Sequence, residues 1–280
     1  MSPGSNVTSP KLPRDVLLRG QGHALYAVGR HGEALSRFEQ ALILGGDDPE
    51  LWALHGFCLV SLKKFDEALE SFNRATACGP EYALAWHGKG HALAKLGQFE
   101  PAVTHLKTAV RLNPADPKAW YNLGTAQNQL GHYKDAIASF EHSLKINPSD
   151  HRACYNQGVA LCGLHRYEEA LRVLQHALEL KPHGHYIWNQ RGTVLIQLGR
   201  FAEALASFDA SLGYQVDNPN AWYGKARTYA MQGNLEMTLK HLYRTFVISP
   251  YVYRVMVQID AHFDGIREHP QFEHLVGGLK

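Results

Sequence analysis

The sequence predicts an all-α fold, a solenoid of antiparallel helix pairs, and three observations carry that prediction. All five Trp, at 52, 86, 120, 188 and 222, fall on one phase of a 34-residue period. Small residues keep the same spacing: Gly22, Gly56, Gly90, Gly124, Gly158 and Gly192 in one series, Ala34, Ala68, Ala102, Ala136, Ala170 and Ala204 in another. No insertion breaks the register from residue 15 to 252, which divides into seven units: 15–48, 49–82, 83–116, 117–150, 151–184, 185–218 and 219–252. A fixed period of this length marks stacked supersecondary units, each burying its apolar face against its neighbours.

The elements follow in order. Residues 1–14 hold no apolar run, so they read as a disordered leader rather than a signal peptide. The fourth unit shows the pattern of the rest. Apolar periodicity places helix A over 117–130 and helix B over 133–146, with Gly131 at the turn. Gly inside a helix costs about 1 kcal/mol against Ala, so its recurrence needs a reason. Gly124 and Ala136 are small where helices A and B approach, and Trp120 and Phe140 are expected to fill the space around them. Burying ~150–250 Å² of an aromatic ring at ~25 cal/mol/Å² outweighs the cost of the Gly. An aromatic residue or Leu recurs four residues after each Ala, from Phe38 and Phe72 to Phe208 and Leu242, and Pro80, Pro114, Pro148, Pro182 and Pro250 close five units. Beyond 252, Val255, Val257, Ile259 and Phe263 predict a further helix. Phe263, Ile266, Phe272 and Leu275 are expected to cover the open side of unit seven, making 253–280 a capping helix and tail.

The order W-x-x-x-G, A-x-x-x-F, Pro at this period resembles the tetratricopeptide repeat, and "PKAWYNLGTAQNQLGHYKDAIASFEHSLKINP" at 117–148 is close to its consensus. The resemblance covers 238 of the 280 residues. It departs at the ends, with Leu18 and Gly46 in the first unit and Ala226, Thr238 and Thr245 in the last. The resemblance implies a right-handed superhelix whose A helices line a concave groove, and a non-catalytic scaffold that binds an extended peptide or partner protein there, as a chaperone-like assembly factor does. The closing stretch "HFDGIREHPQFEHLV", with its D-x-x-R-x-x-P-x-F order, is similar to the ending of many bacterial members.

Charge separates the two helices of each unit. The chain carries 28 basic and 26 acidic residues, a net charge of +2. Eight basic residues fall on A helices (Arg19, Lys89, Lys95, Lys118, Arg152, Arg191, Lys225, Arg227) against one acid, Glu50. The B helices are acid-rich. The expectation is a positive groove that favours acidic or carboxylate-bearing partners.

Helix positions 2, 5, 6, 9, 12 and 13 share one face. In units four to seven that face carries Lys118, Tyr121, Asn122, Thr125, Asn128, Gln129, Arg152, Tyr155, Asn156, Tyr186, Asn189, Gln190, Thr193, Tyr223 and Arg227, the candidate binding residues. Asn122, Asn156 and Gln190 repeat at position 6, an amide row able to pair with the backbone of an extended peptide. Tyr121, Tyr155 and Tyr223 would add apolar contact, and Arg152 and Arg227 a preference for carboxylates. Units one to three are plainer there, with Leu54, Phe57, Val60, Leu84 and Ala94. A clamp for chaperone tails is not matched: its best local alignment runs His87, His91, Asn122, Arg152, Asn156, and only Asn122 agrees in identity.

Other chemistry is sparse. His87 and His91, spaced i, i+4, are a weak metal-binding pair, with His55 and Cys58 the nearest further ligands. No cofactor is expected. No catalytic constellation stands outside the repeat pattern, and the array leaves no room for a catalytic domain. RNA binding through the basic, Tyr-containing groove is the alternative reading, disfavoured by the small net charge. No stretch reaches the ~18 apolar residues of a membrane span. Four Cys without a disulfide framework fit a reducing, cytoplasmic setting. The sequence fixes neither the partner nor the oligomeric state.

Overall fold

The computed structural model describes residues 13–277; residues 1–12 of the leader expected over 1–14 and the last three residues lie outside the described residues, and Arg14 already begins the first helix. Helices A and B of the seven units are α1 (Arg14–Ala27) and α2 (His31–Gly45), α3 (Pro49–Ser61) and α4 (Phe65–Cys78), α5 (Ala83–Lys95) and α6 (Phe99–Leu112), α7 (Pro117–Gln129) and α8 (Tyr133–Ile146), α9 (His151–Gly163) and α10 (Tyr167–Leu180), α11 (His185–Gln197) and α12 (Phe201–Tyr214), α13 (Pro219–Met231) and α14 (Leu235–Ile248). No strand occurs among the described residues. The described residues are all-α in their regular structure, and within each of two bodies the helices pack on their neighbours in chain order. The chain forms two compact bodies, one up to Ile146 and one from Asn147 onward, each described on its own below.

Local chemistry sets where the A helices begin. Asp48, Asp116, Asp150 and Asn218 are N-caps whose side chains accept from backbone N–H groups of the first turn, at 2.8 Å from Glu50, 2.9 Å from Lys118, 3.0 Å from Arg152 and 3.2 Å from Asn220. Each such cap stabilises its helix by about 1 kcal/mol. Pro49, Pro117 and Pro219 follow at N1, where a missing N–H costs nothing. Between A and B the chain turns through a left-handed residue. Gly29, Gly97, Gly131, Gly199 and Gly233 supply it, while units two and five use Lys63 (φ 62°) and His165 (φ 57°).

The recurring Gly is explained by the ring of helix B. A β-carbon on Gly124 would stand 2.8 Å from Phe140, one on Gly56 2.7 Å from Phe72, and one on Gly192 2.7 Å from Phe208. The rings of Phe38, Phe72, Phe140 and Phe208 are fully buried. Two of these rings are also met from the next unit. Gly88 lies over Phe72 and Gly224 over Phe208, each so close that a β-carbon there would overlap the ring. Phe72 is thus held between Gly56 of its own unit and Gly88 of the next.

The Trp has another task than the one expected. It is only half-buried and does not fill the space beside the Gly. In four units its indole N–H reaches back six residues to a carbonyl of the loop before its helix: Trp86 to Pro80 at 2.7 Å, Trp120 to Pro114 at 2.9 Å, Trp188 to Pro182 at 2.8 Å and Trp222 to Val216 at 2.9 Å, while Trp52 donates to the Asp47 side chain at 2.9 Å. The faces of Trp86 and Trp120 stack on a His of helix B, Trp120 on His142 at 4.3 Å. An amphipathic ring suits this half-wet position.

The cap also differs from expectation. One helix was predicted; the chain forms α15 (Pro250–Ile259), a 3₁₀ helix (Ala261–Ile266) and α16 (Pro270–Gly277). Phe263 and Phe272 are buried against α13 and α14 with Ile266 and Leu275 packed beside them, as expected. Val257 and Tyr253 form the buried side of α15, while Val255 and Ile259 face outward. The reason is helical phase: 253 and 257 share one side of the helix, and 255 and 259 the other.

Two outcomes check this packing. Gly88→Ala is expected to lower stability by about 1–3 kcal/mol through overpacking. In a double-mutant cycle, Phe72→Leu should recover on the order of 1 kcal/mol of that loss, as Leu already occupies this position at Leu106 and Leu174. Lys63→Gly removes a left-handed strain of about 1–2 kcal/mol at the expense of about 0.5–1 kcal/mol of backbone entropy, so the midpoint of thermal unfolding should rise slightly.

Candidate functional site

In the N-terminal body, the A helices build an apolar pocket of about 400 Å³. Its lining is Tyr26 of α1, Leu54 and Phe57 of α3, Leu84 and His87 of α5, and Asp116, Pro117 and Lys118 at the start of α7. Three of the residues that make the face of units two and three look plain in the sequence are its floor. The signal was present: Leu54, Phe57 and Leu84 put apolar side chains at positions that carry polar ones in later units.

The polar wall of this pocket is built from Asn122, His87 and Asp116. Asn122 Nδ2 lies 2.8 Å from His87 Nε2, and His87 Nδ1 lies 3.0 Å from Asp116 Oδ2. Burial works against the Asp116 charge, but the His87 contact and the N–H groups of Lys118 and Ala119 outweigh it and hold its carboxyl below the ordinary value. Asn122 also bonds His91, whose pKa is pushed down to about 4 by burial, with Lys95 and His87 adding to the effect. Asn122, expected to meet a peptide backbone, is therefore engaged by two His of the preceding unit. The His87–His91 pair does not assemble into a metal site. His55 faces Ser71 at 2.9 Å and Glu39, Cys58 is buried with its thiol pushed up to about 12, and no group of three potential ligands comes together among the described residues.

Further along the same body, the Thr125 hydroxyl donates to the Tyr121 carbonyl at 2.9 Å, and Tyr121 packs on Phe140. Gln129 and Lys118 are exposed, and Asn128 is half-buried.

In the C-terminal body, a second cavity of about 390 Å³ collects four of the expected residues, Asn189, Thr193, Tyr223 and Arg227. It adds Asn220 and, from the cap, Met256, Ile259 and Asp260. Here the chain supplies its own carboxylate. Arg227 Nε lies 3.2 Å from Asp260 Oδ2, the Tyr223 hydroxyl donates to the same oxygen at 2.8 Å, and His262 Nδ1 lies 2.6 Å from Oδ1. Burial opposes the charge, but the His262 ring, its N–H, Arg227 and Tyr223 together hold the carboxyl far below its ordinary value. Tyr223 is only 4% exposed. Tyr223 and Arg227, expected to face a ligand, are both in contact with Asp260, which sits eight residues beyond the last repeat unit.

The remaining expected residues of this body keep the A-helix face. Tyr155 and Tyr186 pack edge to face at 4.9 Å. Asn156 donates to the Arg152 carbonyl at 3.0 Å, and Arg152 pairs with Asp150 at 3.2 Å. Gln190 reaches Cys162 Sγ at 3.6 Å, and the Thr193 hydroxyl donates to the Asn189 carbonyl.

The positive groove is not realised. Lys89, Arg191 and Lys225 stand at helix position 7 and turn toward the Trp of their own unit, Lys225 pairing with Asp209 at 2.6 Å and Arg191 reaching Ser207 at 2.5 Å. Arg19 pairs with Asp48 and Glu50. Of the eight basic residues, Lys89, Lys95 and Lys118 form no ion pair among the described residues, and Lys89 lies over the Trp86 ring instead. Counting charge by helix missed this because the compensating acids lie in caps, loops and the C-terminal segment.

The fold defines a class: an all-α protein of helical repeats. The chain belongs to the tetratricopeptide-repeat proteins, in the family described as the cilia and flagella-associated protein 70 C-terminal domain, matched over residues 13–221. Among solved structures it is similar to YrrB, a tetratricopeptide protein described as having an unusual peptide-binding site, at 27% identity over 66% of this chain and 95% of that one (TM-score 0.55). Two others share the fold: a tetratricopeptide protein from Parabacteroides merdae (18% identity, 88% and 96% covered, TM-score 0.63) and the Cut9–Hcn1 complex of the APC/C (17%, 94% and 52%, TM-score 0.65). No curated protein matches the chain. No helix among the described residues is long and apolar enough to cross a membrane.

The Asp260 contacts give a pH-dependent expectation. A carboxyl held low in the folded state contributes stability that is present above the unfolded value, about 3.9, and is lost as pH falls below it. Asp260→Asn should destabilise the cap by about 1–3 kcal/mol at pH 7, with faster hydrogen exchange confined to α13 and the cap. Between pH 4 and pH 2 the difference from wild type should shrink.

Proposed function

We propose that this protein is a non-catalytic scaffold that holds an extended segment of a partner protein against the exposed faces of its A helices. The observation that carries the reading is the pocket of Tyr26, Leu54, Phe57 and Leu84. It is concave and apolar, has a fixed polar wall, and is large enough for one bulky side chain. The peptide-binding site reported for YrrB supports the same use of this fold. Lys118, exposed at the lip and without an ion pair among the described residues, favours an acidic residue beside that anchor. The amides and tyrosines of α9 and α11 give the C-terminal body a face of its own, and an assembly factor that holds an unfolded segment needs this kind of sequence-tolerant face. Four thiols with no disulfide fit a reducing compartment such as the cytoplasm. RNA binding is disfavoured, because six of the eight A-helix cations are engaged inside the chain and a nucleic acid needs them for its phosphates.

A fluorescence-polarisation panel tests this on the full chain. Peptides with Leu, Phe or Trp next to Glu should bind, and their Ala counterparts about tenfold or more weakly, the worth of one buried apolar side chain. Leu84→Glu should abolish binding with an unchanged melting curve. Lys118→Glu should shift the preference toward basic neighbours. Glu168→Ala, on helix B, should bind normally. Full binding by Leu84→Glu together with loss in the Glu168 variant would place the working surface on the B helices and overturn the reading.

A further inference from the structure

The cap helix α15 is apolar on two opposite sides. Tyr253 and Val257 are buried in the body, and Asn220 accepts a 2.6 Å hydrogen bond from the Tyr253 hydroxyl. On the other side Tyr251 is 85% exposed, Val252 59%, Val255 63% and Ile259 80%, with Met256 beside them. At 100° per residue these five positions fall within one side of the helix. A helix that ends an array should turn a polar face to water; one that is apolar all round is normally buried. Tyr243 and Val247 of the preceding helix α14 are also more than half exposed.

We infer that this stripe is an interface with a second copy of the same chain. Three observations select that occupant. The stripe holds no charged residue, so it offers no complementary charge to a chosen foreign partner. Arg254, the cation of this helix, is drawn away: Nη1 donates to the Leu275 and Val276 carbonyls at 2.8 Å, and the guanidinium lies 4.5 Å from the centre of the Phe246 ring. The area is right. Taking about 150–200 Å² per side chain, the exposed parts of the α15 stripe with Tyr243 and Val247 come to on the order of 800 Å², what each partner contributes to a stable interface. The pattern is self-complementary as well. Two copies of α15 packed antiparallel about a two-fold axis set Tyr251 toward the second copy's Ile259 and the central Val255 toward its own counterpart, closing the assembly as a dimer. This association leaves the A-helix pocket of the N-terminal body free, so it stands apart from the peptide-binding reading.

Sedimentation equilibrium of the full chain tests it. The wild type should form a species of twice 31.3 kDa. Val255→Glu with Ile259→Glu, both outward-facing, should be monomeric with an unchanged melting curve. In a Cys78→Ser background, which removes the exposed native thiol, Val255→Cys should cross-link to itself on mild oxidation. A monomeric wild type at its highest soluble concentration overturns the inference. So does a mass that grows without limit as concentration rises, or cross-linking of a cysteine at 255 to one at Ile43. Those results would mean head-to-tail stacking on the apolar residues Ile43 and Leu44 instead.

Discussion

Everything in this fold depends on a ring seated on a missing side chain. Phe72 lies between Gly56 and Gly88, and Phe208 between Gly192 and Gly224. A methyl group at any of the four would collide with the ring. The ring fixes the distance from helix B to its own helix A and, through the second Gly, to the next helix A. Each Gly weakens its helix by about 1 kcal/mol. Burial of the whole ring contributes several times that. A helix–helix contact made this way is local and repeatable, which is what a one-dimensional array requires.

That economy of contact explains where function can reside. With the core between helices built from Gly, Ala and one Phe or Leu per unit, the outward positions of the A helices are released from packing. They diverge along the chain: apolar around Leu54, Phe57 and Leu84, hydrogen-bonded around His87, Asp116 and Asn122, aromatic around Tyr155 and Tyr186. The polar wall of the N-terminal pocket is held by two helices, since Asp116 caps α7, His87 stands on α5 and Asn122 reaches back from α7. Such a wall presents fixed donors and acceptors without ordering cost when a ligand arrives.

Electrostatics follows a different rule from packing. The repeat places cations on the A helices, but five of the eight are paired with acids the repeat does not encode. Asp150 and Asp48 are helix caps that also take an arginine, Asp209 comes from a helix B, and Asp260 from the cap. The cap therefore does more than cover apolar surface. It delivers a carboxylate to Arg227 and Tyr223.

The sequence by itself determined the repeat, the helix pairs, the turns at Gly131 and its equivalents, and the role of Gly124 as a packing residue. All of these rest on contacts within one unit or between successive units, so a fixed spacing reports them. It also placed Asn189, Thr193, Tyr223 and Arg227 on one face, and the structure gathers them in one cavity. Only the tertiary structure decided which of those residues remain available. The Trp turned from filler to loop tether because in four units its indole N–H finds a carbonyl six residues back. Tyr223 and Arg227 were engaged by Asp260, and Asn122 by His87, because side chains from a neighbouring unit or from the cap fold onto them. Such partners stand about 33 to 37 residues away in the chain, at identities the period does not repeat, and spacing alone carries no trace of them.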